Sequence, residues 1–166
     1  QPAPDAMVLD CGCGGGANIK TLLKLCPNGK VQGIDYSAVS VEKARKVNAR
    51  AIAAGRCTVQ QASVAELPFE AEQFDVVTAF ETVYFWPELA QNFREVYRVL
   101  KPGGIFFICN EANGETTKDD KWTQIIDGMT IYTDTALKAY LEQAGFCQIQ
   151  SHKNKKGWLC VTAQKR

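Results

Sequence analysis

Asp10, Gly12, Gly14 and Gly16 alternate through the stretch DCGCGGG, directly behind the apolar residues 7–9. A β-type run that ends this way and then becomes helix-compatible predicts a strand, a tight glycine turn and a helix N-terminus. Glycine, lacking Cβ, accepts positive φ and lets a bulky ligand lie against the backbone, while the free N–H groups of the new helix point at that ligand. The loop therefore suits a nucleotide-like molecule. Asp10 adds a carboxylate that a plain phosphate cradle would not want, able to orient the loop N–H groups or to meet a cation, so the pocket suits a ligand carrying positive charge. Asp35 is the second acidic candidate. It ends the next apolar run, 19 residues beyond Gly16, a spacing at which a carboxylate can accept both hydroxyls of a ribose. A role limited to capping the following helix is the weaker reading, because Ser37 can do that.

The elements that must position these residues alternate regularly. Strands are expected at 7–11, 31–35, 57–61, 74–80 and 105–110. Helices are expected at 16–26, closed by Pro27-Asn28-Gly29, at 38–54, capped by Ser37, and at 87–100, stopped by Lys101-Pro102-Gly103-Gly104. In the second helix Val41, Ala44, Val47 and Ala51 are expected to face the sheet, opposite Glu42, Lys43, Arg45 and Lys46. Strand and helix in alternation imply a parallel sheet covered on both faces. Residues 111–132 break the rhythm and read as an insertion with one amphipathic helix carrying Trp122, Ile125, Ile126 and Met129. A helix capped by Thr133 or Asp134 follows, and then strands at 146–151 and 157–163. Their short connection forces an antiparallel pair, since a parallel one needs a crossover of about a dozen residues.

Composition sets the class. A chain of 166 residues fits one domain, and 19 basic against 18 acidic residues give a net charge of +1, too little for the basic field that drives nucleic-acid binding. Lys153, Lys155 and Lys156 read as a solvated hairpin turn. No apolar run approaches the ~18 residues of a membrane span and no leader pattern opens the chain. The 7 cysteines are spread through apolar segments without paired C-x-x-C spacing, which reads as buried free thiols in a reducing compartment and no metal site. A cytoplasmic location is expected. His152, the single histidine, is expected on the surface of a late strand.

On the glycines alone, Gly12, Gly14 and Ala17 also satisfy the G-x-G-x-x-A pattern of nicotinamide dinucleotide domains. Asp10 would repel a pyrophosphate, the wider glycine run fits a broader turn, and a second domain to hold a hydride acceptor is lacking, so a cation-tolerant site is preferred. VLDCGCGGG resembles the first motif of class I S-adenosylmethionine-dependent methyltransferases, GIDYS (33–37) the second, ASVAELPF (62–69) the third, and FDVVTAF with RVLKPGG the fourth and fifth strands. The resemblance implies a Rossmann-like three-layer α/β sandwich with a seven-stranded, mostly parallel sheet in order 3-2-1-4-5-7-6 and strand 7 antiparallel. It implies S-adenosyl-L-methionine as cofactor, with Asp10, Gly12, Cys13, Gly14 and Gly16 at the methionine end, Asp35 on the ribose and Tyr36 on the adenine. Ser63, Val64 and Ala65 would meet the adenine edge, and Phe80 would close the site from the fourth strand. Ser63 stands where many relatives carry an Asp, which implies weaker binding. Relatives also carry covering helices before the first strand, and this single domain, 1–166, is expected to lack them.

Methyl transfer needs positioning more than acid–base chemistry, because the sulfonium is already activated. Glu81, Thr82, Tyr84, Phe85 and Trp86 follow the fourth strand and would face the methyl group. Glu81 is the candidate general base or substrate orienter, its alternatives being a contact to the cofactor ammonium or a helix cap. Tyr84, the second catalytic candidate, and Trp86 would stack on a flat or cationic small molecule. The absence of an Asp/Asn-Pro-Pro-Tyr sequence argues against a nucleobase acceptor. A small-molecule methyltransferase is the expected function, a non-catalytic module that binds the same cofactor is its alternative, and a nicotinamide oxidoreductase is the third reading.

Overall fold

The computed structural model describes the backbone of residues 1–166 and the side chains of all but Thr117, Lys118 and Asp120. The chain runs β1 (Met7–Cys11), α1 (Ala17–Leu25), β2 (Lys30–Asp35), α2 (Ala38–Val47), α3 (Ala49–Ala53), β3 (Cys57–Gln61) and β4 (Phe74–Phe80). It continues through α4 (Leu89–Val99), β5 (Leu100–Asn110), α5 (Thr117–Ile125), α6 (Asp134–Gln143), β6 (Cys147–Lys153) and β7 (Leu159–Gln164). The strands form one sheet in order β3-β2-β1-β4-β5-β7-β6. β7 pairs antiparallel with both β5 and β6, and the other pairs are parallel. The architecture expected from the sequence is the one observed.

Alternation along β1 builds the layers. Val8 joins a buried cluster with Ile19 and Leu22 of α1 and Val41 and Ala44 of α2, whereas Leu9 and Cys11 join Phe93 and Val96 of α4 and Leu137 and Leu141 of α6. Successive strand residues point to opposite faces, so one apolar run feeds both cores. The second core holds an aromatic stack in which Trp86 lies parallel to Phe106, ring centroids 6.2 Å apart, with Phe93 edge-on to both. From β1 the chain winds outward to β2 and β3, and from β4 it winds the other way to β5. Strand order thus reverses at the β1/β4 boundary, where an open parallel sheet leaves a crevice at the carboxyl ends of its strands.

Several boundaries differ from expectation. The helix expected over 38–54 breaks into α2 and α3 at Asn48. Asn48 is buried, and its amide donates to Ala44 O and to Gly16 O, each at 3.0 Å, so the interruption serves a contact with the glycine turn. Just before the break Val47 points outward, 39% exposed, and not to the sheet. β5 begins at Leu100, because Leu100 pairs with Phe74 ahead of a bulge. A 3-10 turn at Val83–Phe85, unanticipated, follows β4. In the insertion the helix ends at Ile125, short of Ile126 and Met129, and Trp122 and Ile125 are exposed. The last two strands begin and end later than expected, by one to two residues. All 7 cysteines are free, and His152 is exposed on β6 as expected.

Phe93→Ala removes the ring that touches both Trp86 and Phe106, and chemical denaturation is expected to register a loss of about 3–5 kcal/mol. A loss below about 1 kcal/mol would mean that this cluster does not carry the packing of the α4 face.

Candidate active site

A cavity of about 1060 Å³ opens at the carboxyl ends of β1, β2 and β4, over the glycine turn. The turn is fixed mainly from β2. Gly12 N and Cys13 N both donate to Ile34 O at 2.9 Å, and Gly14 N donates to Asp35 Oδ2 at 2.9 Å. The other carboxylate oxygen, Oδ1, accepts Ser37 N at 2.9 Å. Asp35 therefore ties the turn to the start of α2, and each of its oxygens keeps acceptor capacity for a further donor. Gly12 and Gly14 require glycine for different reasons. Both have positive φ, 74° and 51°; a Cβ on Gly12 would lie 2.1 Å from Thr82 Oγ1, while one on Gly14 would meet nothing within 4 Å. Gly14 thus presents bare backbone to the cavity. From behind, the Asn48 amide holds the Gly16 carbonyl.

Asp10 does not play the part the sequence suggested for it in orienting the turn. It is 1% exposed, it accepts the Thr78 hydroxyl at Oδ1 (2.7 Å), and its Oδ2 has no partner among the described residues. Nor is it among the cavity-lining residues. Burial, aided by the charge of Asp35 and opposed by the Thr78 bond, pushes its pKa up to about 7. Cys13 does line the cavity, and burial pushes its thiol up to about 12, which removes it as a nucleophile at neutral pH.

The adenine side of the expected cofactor site comes from Tyr36 and the segment after β3. Tyr36 is 77% exposed at the cavity rim. Ala62, Ser63 and Val64 also line the cavity; Ala65 does not, and its N–H is spent on Ser63 Oγ at 3.1 Å. This segment is clamped to α4. Arg98 donates to Phe69 O and Leu67 O at 2.7 and 3.0 Å, while Glu95 accepts Leu67 N at 2.9 Å and pairs with Arg98. The Arg98 guanidinium holds the Glu95 carboxyl below the usual range.

The far side is built from the residues after β4. Phe80, Glu81, Thr82, Phe85 and Trp86 line the cavity, and the insertion contributes Asp127 and Gly128. Glu81 sits at φ 57°, a conformation uncommon for a side-chain-bearing residue. Its Oε1 accepts Tyr84 OH at 3.2 Å and the Glu111 N–H, and burial raises its pKa against those two bonds. Tyr84 is 3% exposed and does not line the cavity. Its hydroxyl accepts Ala112 N at 2.9 Å, and burial and the Glu81 charge hold its pKa above the usual phenol value. Tyr84 thus positions Glu81 and stacks on nothing in the cavity. Sequence reasoning missed Asn48, Arg98 and Asp127. Asn48 had a readable signal, a polar residue continuing the Val41–Ala44 apolar stripe; Asp127 had none. Among the described residues no group of His, Cys, Asp and Glu could hold a metal ion.

Residues 9–108 match the family described as "Methyltransferase domain". Over 152 residues the chain is 30% identical to cycloartenol-C-24-methyltransferase of Arabidopsis thaliana, covering 86% of this chain and 45% of that protein. A SAM-dependent methyltransferase from Aquifex aeolicus superposes with TM-score 0.82 at 22% identity, over 97% of this chain and 82% of that one. Geranyl diphosphate C-methyltransferase from Streptomyces coelicolor, solved with S-adenosyl-L-homocysteine, gives TM-score 0.86 at 14% identity over 100% and 72%. The chain belongs to the methyltransferase-domain family, and its fold is that of the class I S-adenosylmethionine-dependent enzymes. It spans less than half the length of the curated sterol-methyltransferase relatives it matches.

Asp10 yields a pH-dependent stability of defined sign. With its pKa raised to about 7 from 3.8, the folded protein holds a proton in that window that the unfolded chain has lost, so stability falls as pH rises through it. Thermal melts at pH 5 and pH 8 should show a drop that is smaller in Asp10→Asn. An equal drop in both proteins would mean that the carboxylate ionises normally.

Proposed function

We propose that the protein catalyses S-adenosylmethionine-dependent methyl transfer to a small molecule by direct in-line displacement. The observation that carries this reading is the Asp35 carboxylate, set between the bare backbone of Gly14 and the start of α2, with acceptor capacity directed at the cavity. When bound, the cofactor supplies an activated methyl group. Asp35 would accept the ribose hydroxyls, and Tyr36 and Val64 would pack on the adenine. The glycine turn would receive the methionine end. The cavity, about 1060 Å³, slightly exceeds the range for a single ligand site, ~300–1,000 Å³, and so leaves room for an acceptor beside the cofactor. Glu81 would orient the acceptor or take its proton, held in place by Tyr84 and the Glu111 N–H.

A small-molecule acceptor is supported by the names of the relatives, which refer to a sterol and to geranyl diphosphate. Free, mostly buried thiols support a reducing, cytoplasmic setting, and no helix among the described residues is long and apolar enough to cross a membrane. Calorimetry with S-adenosylhomocysteine and with NAD tests the cofactor. S-adenosylhomocysteine should bind, and Asp35→Ala, shown by circular dichroism to be folded, should bind it roughly 10- to 100-fold more weakly, the worth of one or two hydrogen bonds to a charged group. A preference for NAD, or undiminished binding to the variant, would contradict the reading. Release of S-adenosylhomocysteine in a metabolite extract separates the enzyme from a binding module.

A further inference from the structure

The acceptor end of the cavity has a one-sided electrostatic character. Among the described residues the lining of the whole cavity includes the carboxylates of Asp35, Glu81 and Asp127 and no lysine, arginine or histidine. Asp35 stands at the glycine turn, whereas Glu81 and Asp127 stand with Phe85 and Trp86 on the other side. Glu81 makes no ion pair, and its Oε1 is already taken by Tyr84 and Glu111 N–H, leaving Oε2 without a partner among the described residues. The backbone of Glu111 brings a second acidic side chain close by. Asp127 is carried to the cavity because Thr130 N donates to Tyr84 O at 2.8 Å, which pins the insertion against the 83–85 turn. Phe85, 45% exposed, supplies an accessible aromatic ring to the cavity lining.

Carboxylates without cationic partners, beside aromatic rings, attract a cation and reject an anion. Building on the methyl-transfer reading, we propose that this end of the cavity, Glu81 and Asp127 with Phe85 and Trp86, takes an amine acceptor with an apolar body. For a secondary ammonium, a proton passes from nitrogen to Glu81 Oε2. The freed lone pair bonds to the methyl carbon as the carbon–sulfur pair returns to sulfur, giving a tertiary ammonium and a neutral thioether. The product carries its charge beside the Asp127 carboxylate and the exposed Phe85 ring, with Glu81 now the neutral acid. Burial raises the pKa of Glu81, which favours its taking this proton. An acceptor bearing a phosphate or carboxylate would find no counter-charge here.

The test uses the protein loaded with S-adenosylhomocysteine and two probes of one shape: phenethyltrimethylammonium, and the neutral hydrocarbon in which a quaternary carbon replaces the nitrogen. Calorimetry is expected to give tighter binding of the ammonium. Glu81→Gln, which keeps an acceptor oxygen for Tyr84 and Glu111, and Asp127→Asn should each weaken it about tenfold. Affinities for the hydrocarbon and for S-adenosylhomocysteine should stay within about twofold of the parent. An ammonium that binds no better than the hydrocarbon overturns the proposal. So does a Glu81→Gln variant that loses S-adenosylhomocysteine affinity by the same factor, since the carboxylate would then serve the cofactor's own ammonium. Failure of the parent to bind S-adenosylhomocysteine would instead overturn the methyl-transfer reading beneath it.

Discussion

The Asp35 carboxylate, bonded at once to Gly14 N and Ser37 N, is the constraint on which the site depends. A glycine turn with three residues at positive φ has little reason of its own to hold one shape, because glycine gives up more backbone freedom on folding than any other residue. Here that freedom is removed from outside. Ile34 O takes two of the turn's N–H groups, Asp35 takes a third, and Asn48 holds the carbonyl of Gly16. Three separate elements, β2, α2 and the Asn48 break, are spent on fixing five residues of loop. A cradle held this way meets its ligand already shaped, and ordering costs fall on folding instead of on binding.

The same economy recurs around the cavity. Arg98 and Glu95 clamp the 62–69 segment onto α4, and Tyr84 and the Glu111 N–H clamp Glu81. In each case the residue that faces the cavity is held by one that does not. The aromatic core beneath, with Trp86 stacked on Phe106, ties the Glu81 side of the cavity to the packing of the domain, so stability and site geometry share residues.

Much of this was legible in the sequence because its physics is local. Glycine spacing after an apolar run, an acid at the end of the next run, and Pro-Gly punctuation placed the parallel strands, and a short connection dictated the closing antiparallel pair. The division of labour between the two strand-end carboxylates was not legible. Both look alike as letters, yet Asp10 bonds to Thr78, its register partner on the neighbouring central strand β4, and is sealed there, while Asp35 turns toward the loop. That choice is made by strand pairing across 68 residues of chain, which no local pattern encodes. Tyr84 misled for a related reason: the 3-10 turn, absent from the periodicity, rotates it into the interior and Phe85 outward. Asp127 lay in an insertion without a pattern, and the Thr130–Tyr84 bond pins that segment beside the 83–85 turn.

A crystal structure of the complex with S-adenosylhomocysteine tests the cradle most directly. If Asp35 is the nucleoside anchor, both ribose hydroxyls will lie within hydrogen-bond distance of its carboxylate while Gly14 N and Ser37 N remain bound to it. A nucleoside seated elsewhere in the cavity, with the Asp35 carboxylate still engaged only by its own backbone partners, would contradict it.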